Sequence, residues 1–173
     1  MSKMCEQEQK IEVDENQHKL NSTWTIWGHA LKDNNWEIES YKKLYEFDSI
    51  EDFWKFFNNV KDFSSFMLFI MRGSILPIYE DEQNKKGGSY QYVVPTKSSH
   101  HSIVTLICRI IGETLTDREL YDEVNGMSVV PKGGSSVINI WTKNSDQKLI
   151  FNNLKDRYFD PGHLRYKKWK PNN

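Results

Sequence analysis

The first part of the chain alternates apolar and polar residues, which is the pattern of half-buried β-strands. Over residues 20–30, Trp24 and Ile26 fall on one face, opposite two threonines and another tryptophan, so this stretch predicts a strand. The polar run 32–35 then predicts a turn. Residues 36–45 resume the alternation and predict a second strand, which starts at a tryptophan.

Helical periodicity follows in three places. The pair Asp48-Ser49 offers an N-cap for a helix whose apolar residues recur three or four positions apart, namely Ile50, Phe53, Trp54, Phe57 and Val60. A second helix is predicted from about 99 to 111 and ends at Gly112. A third helix is predicted over 146–158, where apolar residues stand four apart.

Glycine pairs mark the turns next to the remaining strands. The run Lys-Lys-Gly-Gly at 85–88 predicts a hairpin turn that leads into a strand over 89–94. Strands over 127–130 and 137–142 flank a second glycine pair and predict a hairpin. Strands interspersed with helices indicate an α+β fold, in which helices cover one face of an antiparallel sheet.

The composition excludes several classes of protein. The chain has 173 residues and a net charge of -1, which suits one domain and argues against a polybasic nucleic-acid binder. Its longest apolar stretch, 66–71, is too short to span a membrane, and its polar start resembles neither a secretory signal nor a transit peptide. We therefore expect a cytoplasmic protein with a disordered tail over 1–17 and a single domain over 18–173.

Motifs typical of an enzyme are absent from the sequence. It contains no P-loop, no GxSxG and no HExxH motif, so we expect no catalytic residues. Cys5 and Cys108 form no metal-binding pattern, and the adjacent pair His100-His101 does not place two ligands on one helix face. We expect neither a metal nor a cofactor.

Aromatic residues are unusually frequent. Phe, Trp and Tyr make up 13% of the chain, and its six tryptophans are more than the core of so polar a protein requires. Trp141 shares a strand face with Asn139, and such a half-apolar face suits a ligand groove as well as a core. The segment Tyr79-Glu80, followed by further acids, is compatible with a charged loop and with a binding site. The residues alone leave these alternatives open.

Short islands of sequence, taken in order, resemble one protein family. They are His18-Lys19-Leu20, Trp24-x-x-Trp27, Trp36, Phe47-Asp48-Ser49-Ile50-Glu51-Asp52-Phe53-Trp54, Tyr79-Glu80-Asp81-Glu82-x-Asn84-Lys85-Lys86-Gly87-Gly88, Ile111-Gly112-Glu113, Ile138-x-Ile140-Trp141-Thr142 and Leu154-Lys155-Asp156-Arg157. In this order and spacing, residues 18–160 resemble the initiation factor 4E family, the messenger RNA cap-binding subunit of eukaryotic translation initiation.

The resemblance implies a curved antiparallel sheet with about three helices on its convex face and a 7-methylguanosine cap in its concave slot. It implies that Trp36 and Tyr79 sandwich the methylated base, that Glu80 accepts its N–H groups and that Trp141 contacts the N7-methyl group. Methylation at N7 leaves a positive charge on the purine, which attracts electron-rich ring faces and a carboxylate. Tyr79 stands where most members carry tryptophan, so we expect somewhat weaker binding or a slot shaped for a modified cap.

The phosphate side departs further from the family. Ser89 and Val130 stand where the family usually places arginine, and Lys132 matches a family cation. Two bidentate phosphate contacts are thereby lost. We hypothesise that four basic residues of the tail compensate by folding over the triphosphate: Arg165, Lys167, Lys168 and Lys170. A solvated basic tail is the alternative.

The resemblance also implies a docking surface on the helix side. A scaffold subunit or an inhibitory binding protein would insert a Tyr-x4-Leu-hydrophobic helix there, against His18, Leu20, Ile50, Trp54 and Val104, or Ile103 if the alignment slips by one. The acidic residue that the family places on this surface is missing, with Thr105 or Val104 in its position.

These features together predict a monomeric, non-enzymatic protein that binds capped mRNA and recruits it to translation through a scaffold partner. One alternative is a cap-binding repressor that does not support initiation. Another is a single-stranded RNA-binding module without selectivity for the cap. A third is a protein-interaction module that has lost nucleotide binding.

Overall fold

The computed structural model describes residues 17–60, 64–146, 148–149, 151 and 164–170, with only the backbone described at 96–99. Its strands and α-helices, in chain order, are β1 Lys19–His29, β2 Lys42–Ser49, α1 Ile50–Phe57, β3 Met67–Arg72, β4 Gly88–Pro95, α2 Thr96–Ile111, β5 Val124–Lys132, β6 Ser135–Thr142 and β7 Arg165–Lys168. Single-turn 3₁₀ helices at Ile38–Ser40 and Tyr121–Glu123 precede β2 and β5.

The seven strands form one antiparallel sheet in the order β2-β1-β3-β5-β6-β4-β7. Both helices pack on the same face of this sheet, which we call the helix face; the opposite one is the cavity face. The predicted class, a curved α+β sheet backed by helices, is confirmed. The described residues contain two α-helices where the sequence predicted about three.

Apolar residues are buried on both faces of the sheet. The main core lies between the helices and the sheet, where Phe53 and Phe57 of α1 join buried residues from strands β1 to β6. Helix α2 lies mainly against β4, β5 and β6 and contributes Ile103, Leu106, Ile107 and Ile110. The cavity face carries a second cluster around Tyr41, Phe69 and Trp141. Strand β3 contributes alternate residues to the two clusters, so all of it except its last residue is buried.

Several predicted elements are confirmed. Strand β1, strand β4, the β5–β6 hairpin and helix α2 lie within a few residues of their predicted bounds. The hairpin turn places Gly133 at a φ of +58°, a conformation that favours glycine. Helix α1 begins where the sequence placed its N-cap, and the Ser49 side chain accepts the backbone N–H of Asp52 at 3.2 Å.

Three predictions about strands and turns need correction. The strand predicted over 36–45 is wrong in its first half, because residues 30–41 form a loop and β2 starts only at Lys42. Strand β3 was not predicted, because a strand buried on both faces shows no alternation. The turn at 85–88 does not join a hairpin, since β3 pairs with β1 and β5 whereas β4 pairs with β6 and β7.

Most of the third predicted helix, 146–158, lies outside the described residues, as do residues 1–16 of the predicted disordered tail. The few residues described in the helix range are not helical, and Phe151 forms an isolated bridge with Thr116. Among the described helices, none has both the length and the apolar character needed to cross a membrane.

A buried ion pair ties the end of α2 to the sheet. Arg72 donates to Glu113 at 2.7 Å, and only 14% and 7% of the two side chains are exposed. Glu113 adopts a φ of 55°, just after the helix cap at Gly112. Burial is the largest single influence on the pKa of Glu113 and would raise it, but hydrogen bonds from Asn21 and Arg72 outweigh burial and hold this pKa below its usual range.

Candidate functional site

A cavity of about 390 Å³ opens on the cavity face of the sheet. This volume lies within the range of small-ligand pockets. All four residues predicted to hold the base line it: Trp36, Tyr79, Glu80 and Trp141. They come from two loops and one strand that are far apart in the sequence, so the fold itself brings them together. The remaining lining residues are Tyr41, Phe69, Pro77, Ile78, Gln91, Ser128, Val130, Asn139 and Trp169.

Trp36 is presented on the loop that replaces the predicted strand. Half of its surface is exposed, although it is one of the largest apolar side chains. The imidazole of His29 stacks on the indole with ring centroids 4.7 Å apart and an interplanar angle of 1°. Nε2 of this buried histidine lies 2.8 Å from the carbonyl oxygen of Asn35, and Nδ1 lies 3.0 Å from that of Ala30. His29 therefore fixes both the loop and the plane of Trp36.

Tyr79 and Glu80 are presented on a second loop, which two polar side chains hold from within. The Asp81 carboxylate accepts two backbone N–H groups of the loop, at 3.1 and 2.8 Å. The buried Asn84 amide donates to two loop carbonyls, at 2.9 and 2.7 Å, and accepts a hydrogen bond from Asn125 at 2.9 Å. The polar residues of this sequence island thus give the loop its shape, which leaves Tyr79 and Glu80 to line the cavity.

A chain of hydrogen bonds crosses the floor of the cavity. Gln91 donates to Asn139 at 2.8 Å, and Asn139 donates to Ser128 at 3.2 Å. The Ser128 hydroxyl also accepts the indole N–H of Trp141 at 3.0 Å, which fixes the orientation of that ring. The half-apolar strand face noticed in the sequence, with Asn139 beside Trp141, therefore forms the floor of a cavity.

The negative charge of Glu80 influences the pKa of Tyr41, another residue that lines the cavity. Burial raises the pKa of Tyr41 to about 12, and the nearby carboxylate of Glu80 adds to this shift. Tyr41 is therefore a neutral hydroxyl at physiological pH. An electron-rich aromatic wall combined with a carboxylate favours a cationic, planar ligand that carries N–H donors.

The predicted phosphate-binding residues fall into two groups. Lys132 and Arg165 line a second cavity, which shares Gln91 with the first and so adjoins it. Arg165 pairs with Gln91 in the sheet and Lys167 pairs with Ser89, which places both basic residues on the cavity face. Ser89, which stands at the position of a family arginine, is itself fully buried.

The other two basic residues of the tail are placed differently. Lys168 alternates with its neighbours and lies on the helix side of β7, where its ammonium is 3.8 Å from Asp146. Lys170 is exposed beyond the end of the strand. The structure therefore brings Arg165 and Lys167, but not Lys168, to the face that carries the cavity.

Comparison with known proteins gives one consistent result. A sequence model described as "Eukaryotic initiation factor 4E" matches residues 19–168. The chain is 32% identical over 145 residues to eukaryotic translation initiation factor 4E of Candida albicans, and the alignment covers 77% of this chain and 68% of that protein. This chain belongs to the initiation factor 4E family.

Solved structures agree with this 4E-family assignment. Ascaris suum initiation factor 4E-3 with an m7G cap is 28% identical, with a TM-score of 0.67 and 75% of each chain covered. The same protein with an m2,2,7G cap has a TM-score of 0.72 at 25% identity and covers 91% of this chain and 94% of that one. Initiation factor 4E-3 of C. elegans, with the 4E-binding protein Mextli and a cap analog, is 26% identical with a TM-score of 0.69, covering 75% and 76%.

The helix face of this 4E-family protein carries a separate groove. Trp54, 39% exposed, and Val104 both line it, and both are among the residues that the family resemblance assigns to a docking surface. Ile50, 43% exposed, is the first residue of the helix that carries Trp54. His18 is held next to the start of this helix, because Nδ1 of His18 lies 2.7 Å from the carboxylate of Glu51. Leu20 packs instead against the main core. No acidic side chain lines the described groove, in agreement with the missing family acid.

Sequence reasoning missed several residues of the cavity. Tyr41, Phe69 and Ser128 lie in strands or next to them, where a core and a cavity lining look alike in sequence. Trp169 lies in the basic tail, where no periodic pattern surrounds it. Among the described residues there is no cluster of three or more side chains that could hold a metal ion.

Proposed function

We propose that this 4E-family protein binds the 7-methylguanosine cap of mRNA and recruits the mRNA to translation initiation through a partner protein. The observation that carries the proposal is the convergence of Trp36, Tyr79, Glu80 and Trp141 on one cavity. Relatives of the same fold have been solved with m7G and m2,2,7G caps and with a 4E-binding protein. The protein acts in the cytoplasm by binding and carries out no catalysis.

Recognition depends on the positive charge of the methylated base. Trp36 and Tyr79 offer ring faces to the cationic purine, and a cation–π contact contributes about 0.5–2 kcal/mol. Stacking itself contributes about 1–3 kcal/mol per base. Glu80 accepts the N–H groups of the base, and a hydrogen bond to a charged group contributes about 1.5–3 kcal/mol. Unmethylated guanine lacks the charge and so loses part of each of these contributions.

The triphosphate lies next to the base cavity, against Lys132 and Arg165. These two cations line the adjoining cavity, and Lys167 lies on the same face of the sheet. Arg165 is able to make the bidentate phosphate contact that Ser89 and Val130 cannot. In this assignment Arg165 and Lys167 of the basic tail compensate for the missing family arginines, and Lys168 does not contact the triphosphate.

The partner binds the groove on the helix face. Trp54 and Val104 supply the apolar surface that an amphipathic helix covers, with Ile50 and His18 at its margin. Binding of a scaffold peptide, together with rescue of translation in cells depleted of the endogenous factor, would separate an initiation factor from a repressor. A repressor would retain the cap and fail to rescue.

Retention on immobilised 7-methylguanosine triphosphate tests the cap-binding proposal. Wild-type protein should be retained, released by free 7-methylguanosine triphosphate, and released poorly by GTP. Trp36→Ala and Glu80→Ala should each abolish retention while circular dichroism shows an unchanged fold. Retention that survives both substitutions, or that GTP competes equally well, would contradict the proposal.

A further inference from the structure

The carboxyl-terminal segment places one tryptophan on the face of the sheet that carries the cavity. Strand β7 pairs with β4 through Arg165↔Gln91 and Lys167↔Ser89, so Arg165 and Lys167 face the cavity side. Alternate residues of a strand share a face, and Trp169 follows Lys167 by two positions. Its backbone N–H donates to the carbonyl of Gly87 at 3.2 Å, which continues the pairing beyond the strand. The register of β7 therefore sets the direction of the Trp169 side chain.

This register depends on close contact between backbones. A side chain at Gly88 would overlap the carbonyl oxygen of Lys167 and the ring of Tyr166. A side chain at Gly87 would overlap the carbonyl oxygen of Thr142. The Tyr166 hydroxyl lies 3.2 Å from that of Thr142, on the opposite side of β7 from Trp169. Gly88 thus allows the carboxyl-terminal segment to lie where it does, and Gly87 allows the close approach of β6.

Trp169 contacts two of the residues assigned to the methylated base. Its ring centroid lies 5.0 Å from that of Trp141, at an interplanar angle of 53°. It lies 6.3 Å from that of Tyr79, at 33°. Trp169 also lines the cavity itself. The indole therefore fills the position between Tyr79 and Trp141 and extends their aromatic surface.

We propose that Trp169 is a ligand-contacting residue of the cavity and helps to set its preference for the cationic, methylated base. The inference rests on the proposed cap-binding function and deepens it. Tyr79 offers a smaller and less electron-rich face than an indole. Trp169 adds an indole face beside it, so that Tyr79, Trp169 and Trp141 together form an aromatic surface in the cavity.

A packing role predicts different behaviour from a ligand contact. If Trp169 only fills space, leucine and phenylalanine, which are both smaller, will weaken binding to a similar extent and in step with the lost stability. If its ring face attracts the charged base, an aromatic replacement will serve and an aliphatic one will not. Trp169→Leu and Trp169→Phe separate these two roles. Trp27→Leu is the matched control, because Trp27 packs against the same cluster of residues but is not among the described residues that line the cavity.

The full-length variants are titrated calorimetrically with 7-methylguanosine triphosphate and with GTP, and thermal melting reports their folding. Trp169→Leu should weaken binding of the methylated nucleotide about tenfold, the lower part of the range for losing one base–aromatic contact. Its binding of GTP should change less, so selectivity falls. Trp169→Phe should keep most of both affinity and selectivity, and Trp27→Leu should stay close to wild type.

Three results would overturn this inference. Unchanged selectivity in Trp169→Leu would show that the indole does not contact the charged base. Tighter binding in that variant would show that the indole obstructs the cavity. Equal weakening in the Leu and Phe variants, in step with their melting temperatures, would show a packing role. A wild-type protein that binds neither nucleotide would instead reject the proposed function, and the inference with it.

Discussion

Removing the imidazole of His29, which stacks on Trp36, should weaken cap binding although His29 is not among the described residues that line the cavity. His29 is buried and lies parallel to the Trp36 indole, with the centroids 4.7 Å apart, whereas Trp36 is half exposed. In His29→Ala the indole loses this support and has to be ordered by the ligand. An aromatic pair contributes about 0.5–1.5 kcal/mol, so affinity for 7-methylguanosine triphosphate should fall about two- to twelvefold.

His29→Phe is the matched control for this prediction. Phenylalanine restores the stacked ring but cannot donate to the carbonyls of Asn35 and Ala30, which His29 approaches at 2.8 and 3.0 Å. It should bind the nucleotide almost as tightly as wild type, while urea unfolding shows a loss of about 1 kcal/mol. Calorimetric titration measures the affinities. Wild-type affinity in His29→Ala, or equal losses of affinity in both variants, would refute the stacking argument.

The remaining predictions concern stability and charge. Glu113→Ala removes the carboxylate partner of Arg72, whose guanidinium keeps its hydrogen bonds to Ser22 and to two backbone carbonyls, and should lower the free energy of unfolding in urea by about 1.5–3 kcal/mol; an unchanged free energy of unfolding would contradict this. The folded-state pKa of Glu113 is lowered, so the stability that its charge contributes is present above the ordinary glutamate pKa of about 4.3 and is lost as the pH falls through the lowered value. The free energies of unfolding of wild type and Glu113→Gln should therefore converge in acid, and a difference that grows in acid would contradict this. Ser49→Ala removes the N-cap of α1 and should lower the free energy of unfolding by about 1 kcal/mol, as followed by thermal melting. A melting temperature equal to that of wild type would contradict this. Lys132→Ala and Arg165→Ala should each reduce the salt dependence of nucleotide binding, in contrast to Lys168→Ala, and equal slopes in all three would refute the phosphate assignment.

A strand or helix could be predicted from the sequence where its apolar and polar residues recur with the period of that element. Exposure alternates over the first half of strand β1, and helix α1 buries one side, so alternation and helical spacing located them. Strand β3 buries both sides and gives no alternation. The segment around Trp36 alternates by chance, and it forms a loop because the side-chain oxygens of Asp33 and Asn35 accept the backbone N–H groups of Asn35 and Glu37.

The candidate site was predicted in part for a similar reason. Trp36, Tyr79, Glu80 and Trp141 were found through the family resemblance, and all four line the cavity. Trp169 was missed because its place depends on the pairing of β7 with β4, between residues almost 80 positions apart. Such a register follows from the tertiary structure and leaves no local signal in the sequence.

The central claim, that a carboxylate and aromatic rings select a cationic purine, is tested most directly by one calorimetric comparison. Wild type, Glu80→Gln and the control Glu82→Gln are each titrated with 7-methylguanosine triphosphate and with GTP. Wild type and the control should prefer the methylated nucleotide about 30-fold or more, and Glu80→Gln should reduce that preference about tenfold. A wild-type protein without preference, or a preference that Glu80→Gln leaves intact, would contradict the account.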